Sequence, residues 1–297
     1  MSVKLSDFDL YRDLLYNQSG LVITPDKTYL LDSRLTPVAK KWGHETLDSM
    51  SVALRSFPDP TMVKDIVEAM TTNETSFYRD QRPFDIFEKI VLPAIVATRQ
   101  KASKKIRIWC AAASTGQEPY SLAMLLKEKE NLWRGCSVEI VATDISEEAL
   151  AIAKAGAYSQ FEVQRGLPIA LLIKYFKQKE DKWQIADEIR AMIKYDYFNL
   201  LEDMKKLGSF DIIFCRNVLI YFDEKTKGQV LARMSTQIAA DGFLFMGGAE
   251  TTIGITDKFK PMEQQRGLYV RPDFPGLPAG LGPMPITPPK NPIKAAG

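Results

Sequence analysis

Apolar side chains recur at helical spacing from the start of the chain to about residue 90. In LSDFDLYRDLLYNQSG, Phe8, Leu10, Leu14 and Leu15 fall near one helical face, and Gly20 marks the stop. ITPDKTYLLDSRLTPVAKKWG repeats the pattern, with Leu31, Leu35, Val38 and Trp42 at i, i+4, i+7 and i+11. Thr24 suits the N-cap of that helix and Pro25 its first position. Pro37 lies inside it, where a missing N–H and a bulky ring kink or divide a helix. Past residue 100 the period changes. IRIWC, SVEIVA, FDIIFC and GFLFMG are short apolar runs rich in β-branched and aromatic residues, as buried strands are. Helical patterns separate them, at EPYSLAMLLKEKE, SEEALAIAKAGAY and DEKTKGQVLARMSTQIAAD. The alternation predicts an α/β fold built on a doubly wound, mostly parallel, Rossmann-like sheet. GLYVRP, near residue 270, would add a final antiparallel edge strand.

Two stretches break the alternation. Between about 157 and 198 lie the charged turn KQKEDK, the run KWQIA and then AMIKYDYF, which predict a small inserted β-subdomain over about 160–198. From Pro272 to Gly297 the chain is rich in Pro and Gly without apolar period, the composition of a disordered tail. The expected organisation is a helical domain over 1–75, an α/β domain over 76–271 carrying the insertion, and a tail over 272–297.

Composition narrows the classes. Of 297 residues, 45% are hydrophobic and 26% charged, enough apolar surface for a packed core. The net charge of +2, from 39 basic and 37 acidic residues, is too balanced for a nucleic-acid coat, and no nucleic-acid partner is expected. MSVKLSDFDLYRDLL has no charged-then-apolar signal pattern, and no stretch approaches about 18 consecutive apolar residues. A cytoplasmic protein without membrane insertion is expected. Cys110, Cys136, Cys215 and the single histidine, His44, are too few and too dispersed for a disulfide framework or a zinc cluster, so no metal is expected. Cys110 and Cys215 read as small core residues at strand ends, and His44, after Gly43, as solvated. In a cytoplasmic chain Asn73-Glu74-Thr75 and Asn17-Gln18-Ser19 are chance glycosylation triplets.

The candidate chemistry gathers at predicted strand ends. AAASTGQEPYSLA follows the first strand, and its small residues let backbone approach a ligand beside the N–H groups of a helix start. Tight strand-to-helix packing accounts for the same residues, and Gly116 is the only glycine of a would-be G-x-G-x-x-G. Asp144, in ATDIS, closes the second strand, where a carboxylate accepts ribose hydroxyls; it or Ser146 would equally cap the next helix. Together the two features favour a nucleoside ligand without phosphates. Glu118 opens a helix, which suits the dipole and also suits pairing with a ligand's ammonium group. FCRNVLIYF sets Arg216 and Asn217 at a strand end with Tyr221 beyond, and YFNLL contributes Asn199 and Leu200. Lys27, Arg34 and Lys41 recur every seven residues, as a solvated helix edge or a docking face.

TTNETSFYRD, RIWCAAASTGQEPYSLA, VATDIS, RGLP, YFNLL and FDIIFCRNVLIYFD, in this order, closely resemble the CheR family of chemotaxis receptor methyltransferases. SGLVIT, SRL and KKWG match that family's helical domain, and the resemblance spans about residues 5–270. It implies a class I S-adenosyl-L-methionine (SAM) methyltransferase fold that esterifies glutamate side chains on chemoreceptor cytoplasmic helices for chemotactic adaptation, releasing S-adenosyl-L-homocysteine (SAH). By matching position, Asn73, Thr75, Arg79, Glu118, Asp144, Asn199, Leu200, Arg216 and Asn217 would form the cofactor site. Glu118 would meet the amino group and Asp144 the ribose, while Arg79 and Tyr221 would lie closest to methyl transfer. Lys27, Arg34 and Lys41 would face the receptor, and the protein would act as a monomer. Two departures stand out. KQKEDKW is shorter than the Gly-containing loop of members that dock on a receptor's C-terminal pentapeptide, so independence of that tether is expected. GGAETTIGI differs from the Ser-Glu wording of enteric members and leaves its local contacts open. A noncatalytic SAM/SAH-binding docking module is the alternative; the absent pyrophosphate loop argues against an NAD-dependent oxidoreductase.

Overall fold

Strands that read as near-continuous apolar runs need cover on both faces, and the computed structural model, which describes residues 5–281, supplies it. Four helices come first: α1 (Leu5–Ser19), α2 (Thr28–Lys41), α3 (Leu47–Ser56) and α4 (Pro60–Met70). Phe8, Tyr11, Leu15, Leu31, Leu35, Val38, Met50 and Ile66 form their common core. The α2 stripe is buried as its spacing predicts, and Trp42 donates from its indole N–H to Asp65 at 2.8 Å. Pro37 does not divide α2. Thr24 makes no side-chain cap; it precedes a single 3-10 turn, Pro25–Lys27, so α2 begins three residues later than the Thr24-Pro25 signal suggests.

α5 (Arg82–Ile86) runs through a π-helical turn, Phe87–Val91, into α6 (Leu92–Arg99). The α/β domain follows as β1 (Lys105–Ala111), α7 (Gln117–Glu128), β2 (Ser137–Asp144) and α8 (Glu147–Ala155). Next come β3 (Ala157–Ser159), α9 (Gln160–Gln164), α10 (Ile169–Tyr175), β4 (Phe176–Lys179), β5 (Lys182–Ile185) and α11 (Asp187–Arg190). The chain then completes the main sheet with β6 (Ile193–Tyr197), β7 (Phe210–Cys215), α12 (Glu224–Gln237), β8 (Ile238–Met246), β9 (Lys260–Pro261) and β10 (Leu268–Val270).

The seven-stranded sheet has the order β6-β2-β1-β7-β8-β10-β9. Its first five strands are parallel, and β10 runs antiparallel to β8 and β9. Successive side chains of β1 point to opposite layers. Ile106, Ile108 and Cys110 join the core with α6 and α7, whereas Trp109 and Ala111 join Phe198, Val230, Leu231 and Met234 on the α12 side.

Four sequence expectations change. The insertion covers about 157–190 and forms an antiparallel sheet of order β3-β5-β4; KYDYF belongs instead to β6, paired in parallel with β2. β10 is antiparallel as expected but is not the edge, because β9 pairs outside it. The tail does not begin at Pro272: Phe274 packs edge-on to Phe243, with ring centroids 5.2 Å apart, and Leu277 and Leu281 join the main core. The remainder of the expected tail, 282–297, lies outside the described residues. His44 is half-buried rather than fully solvated.

Candidate functional site

From β1 the chain moves outward to β2 and β6, then crosses back to β7 and β8. The loops leaving β1 and β7 therefore diverge, and open α/β sheets hold their ligands in that crevice. A pocket fills it, and all ten residues singled out for cofactor or chemistry line it: Asn73, Thr75, Arg79, Glu118, Asp144, Asn199, Leu200, Arg216, Asn217 and Tyr221. The helical domain supplies a wall that the strand-end motifs do not announce, made of Ser19, Leu21, Thr71 and Thr72.

The loop after β1 has the backbone of a glycine triad with one glycine. Ala112, Ser114 and Gly116 have φ of 78°, 51° and 93°, so alternate residues are left-handed. Alanine and serine in that region cost on the order of 1–3 kcal/mol each, and such strain concentrates at ligand sites. Only the third position demands glycine sterically: a Cβ on Gly116 would stand 2.8 Å from the Tyr195 hydroxyl. Asp144 holds the loop by accepting from Ser114 N (2.7 Å) through Oδ2 and from Ser146 N (2.9 Å) through Oδ1. Burial raises its carboxyl above the usual range, against those two N–H bonds. Ser146, not Asp144, caps α8, accepting from Ala149 N at 3.0 Å. Asp144 therefore keeps lone pairs beyond those two N–H bonds, at the pocket it lines.

Glu118 sits in the first turn of α7, and Arg216 reaches it from the end of β7, Nη1 to Oε2 at 2.7 Å. Arg216 is 1% exposed at its side chain and Glu118 12%. Burial lifts the Glu118 carboxyl, opposed by Arg216. Nη2 of Arg216 donates to Asp80 (2.8 Å) and to the Arg79 carbonyl (2.9 Å), so one guanidinium braces α7, β7 and the turn carrying Arg79. Its Nε is buried without an acceptor, and Oε1 of Glu118 has no hydrogen bond among the described residues. A buried carboxylate with one uncommitted oxygen fits an ammonium group.

Asn73 donates to the Ser146 hydroxyl (3.1 Å), and its carbonyl accepts from Ser114 (2.8 Å), locking the interdomain linker onto the strand ends. Arg79 is fixed by donating to the Glu74 carbonyl at 2.8 Å. Asn199 spends both ends of its amide on protein, donating to Gln18 O (2.6 Å) and accepting from Leu201 N (3.0 Å). It joins the domains and keeps one N–H and one lone pair at the pocket it lines. Tyr221 is tied to the helical domain as well, its carbonyl accepting from Val22 N at 3.0 Å. Glu68, in α4, accepts from the Ser146 hydroxyl and from Glu147 N, capping α8 across the domain boundary. The basic row is partly committed: Arg34 donates to Met70 O (3.0 Å) and to Thr72 (3.2 Å), and Lys41 pairs with Asp65, leaving Lys27 exposed. Among the described residues, no group of three or more His, Cys, Asp or Glu is placed to hold a metal, and no helix is long and apolar enough to cross a membrane.

Sheet order, the β1 loop, the carboxylate that ends β2 and the one that opens α7 define the doubly wound class of SAM-dependent methyltransferases. The SAM-binding domain model of the CheR methyltransferases matches residues 73–268, and their all-alpha domain model matches residues 6–71. The chain belongs to the CheR methyltransferase family. It is 35% identical to the chemotaxis protein methyltransferase Cher2 of Pseudomonas putida, across 90% of this chain and 98% of the relative. It is 36% identical to chemotaxis protein methyltransferase 1 of Pseudomonas aeruginosa, across 91% and 99%. The chemotaxis protein methyltransferase of Vibrio anguillarum is 37% identical, across 91% and 98%.

Proposed function

We propose that this protein transfers the methyl group of SAM to glutamate side chains on the cytoplasmic helices of chemoreceptors, forming γ-methyl esters. The observation that carries the reading is the convergence of Arg79 and Tyr221 with Glu118 and Asp144 on one pocket. A glutamate, with an unperturbed pKa of about 4.3, is already a carboxylate at neutral pH, so the site needs no general base. Bound SAM supplies the electrophilic methyl, whose bond to sulfur breaks as the carboxylate oxygen attacks, leaving SAH. The protein's own task is alignment, which lowers barriers by as much as about 7–11 kcal/mol. Arg79 and Tyr221 orient the substrate carboxylate by hydrogen bonding; Glu118 binds the cofactor's ammonium and Asp144 its ribose hydroxyls.

Independence from a receptor pentapeptide is part of the proposal. Lys179 pairs with Lys182, so only Glu180 and Asp181 turn the β4–β5 hairpin. Receptors with and without their last five residues should be methylated at equal rates; a loss on truncation overturns that part. The experiment for the whole is labelled-methyl transfer to receptor fragments by wild type, Tyr221→Phe and Arg79→Ala. Full turnover by both variants at saturating SAM would end the orientation mechanism. SAH binding without transfer to any receptor would favour a noncatalytic docking module.

A further inference from the structure

Glu250 stands in GGAETT, and its carboxylate is buried beside the pocket without lining it. Oε2 accepts from Asn217 N (2.9 Å) and Gly247 N (2.6 Å), and Oε1 from Val218 N (3.0 Å) and Leu219 N (2.8 Å). Three of these four donors belong to the loop between Arg216 and Tyr221. Asn217 is left-handed, at φ 58°, a conformation that asparagine tolerates better than other non-glycine residues and that the Glu250 carboxylate holds here through its N–H. Glu250 is held in turn, its N donating to Gly247 O (3.0 Å) and its carbonyl accepting from Tyr269 (3.3 Å).

We infer that Glu250 is the positioning residue of the proposed methyl transfer: its carboxylate sets the backbone from Asn217 to Leu219 and thereby aims Tyr221. The inference rests on the function proposed above and adds to it a residue that touches neither cofactor nor substrate. A carboxylate alone among side chains offers two acceptor oxygens to four N–H groups. In Glu250→Gln one of those oxygens becomes an NH2 group, which opposes two backbone N–H donors.

The test uses the full chain with two variants and a control. Glu250→Gln alters the acceptor. Gly247→Ala keeps it but adds a Cβ that would stand 2.7 Å from Oε2 and 2.9 Å from Asn217 Nδ2. Asp241→Asn breaks an ion pair with Arg99 in the N-terminal half of β8, a strand that contributes no residue to the pocket, as a stability control. A misplacement near 1 Å can cost about 100-fold, so kcat should fall about 100-fold in the first two variants while the SAM KM stays within about tenfold. Asp241→Asn should lower the melting temperature and keep wild-type kcat. A kcat within about threefold of wild type in both Glu250→Gln and Gly247→Ala overturns the inference, as does a fall in kcat matched by the control at equal loss of stability. Should wild type itself transfer no methyl, the function proposal fails instead. Crystal structures of wild type and both variants then test the positioning, and an unchanged backbone from Asn217 to Leu219 with an unmoved Tyr221 ring in both variants overturns it.

Discussion

Glu118→Gln isolates the amino-acid end of the cofactor site. The wild-type carboxylate is 12% exposed, gives Oε2 to Arg216 at 2.7 Å and keeps Oε1 for a ligand. A hydrogen bond to a charged group contributes about 1.5–3 kcal/mol, so losing the ammonium partner should weaken SAH about 10- to 150-fold. A second effect acts on the fold. Breaking a buried ion pair costs up to about 3–5 kcal/mol, and this is an upper bound because Gln can still accept from Arg216. Asp80, 2.8 Å from Nη2, also keeps the guanidinium partly paired. Calorimetry with two ligands separates the effects. SAH carries the amino acid, and 5′-methylthioadenosine keeps nucleoside and sulfur but lacks it. The variant should lose SAH affinity by that factor and hold methylthioadenosine within about threefold of wild type. Wild-type SAH affinity would refute the role of Glu118. Equal weakening of both ligands would move the effect to the fold.

Burial raises the carboxyls of both Glu118 and Asp144. The folded state therefore holds these protons more readily than the unfolded chain, and the ionised forms oppose stability above the folded pKa values. Ligand binding needs the ionised forms, so SAH affinity should fall as pH drops into the upper carboxylate range, while protonation of these two groups adds stability over the same range; a flat calorimetric profile contradicts this. Lys27→Glu should slow receptor methylation at low salt and leave SAH affinity unchanged, because Lys27 is exposed. Arg34→Glu should weaken SAH as well, since Arg34 holds the carbonyl of Met70 and the hydroxyl of Thr72 at the pocket wall. Arg99→Ala removes the group that pairs with Asp211 and Asp241. It should cost about 3 kcal/mol and lower the melting temperature by roughly 6–12 °C, with kcat retained.

Strand ends were the legible part of the site. Asp144, Arg216 and Asn217 are polar residues that abut apolar runs, Glu118 opens the helix that follows the first of those runs, and a parallel sheet brings the C-terminal ends of its strands together. The α2 stripe was legible because Leu31, Leu35 and Val38 face a single core. β6 was not. Its residues Lys194, Asp196 and Tyr197 are exposed, and its partner β2 lies across the whole insertion, so the polar run reads as part of that insertion. The left-handed Ala112 and Ser114 were hidden because a sequence signals positive φ through glycine and asparagine, not through alanine or serine. Glu250 was hidden for a different reason: its partners are backbone N–H groups, which every non-proline residue carries. The packing of Phe274 on Phe243 escaped because a single aromatic in a Pro-rich stretch has no period.

Labelled methyl from SAM, offered with purified chemoreceptor cytoplasmic fragments and followed by mild base, tests glutamate methylation itself. Label should appear on the receptor, be released by base as methanol, and be lost when the acceptor glutamates are changed to alanine. A base-stable label, or none on any receptor fragment while SAH binds normally, would contradict it.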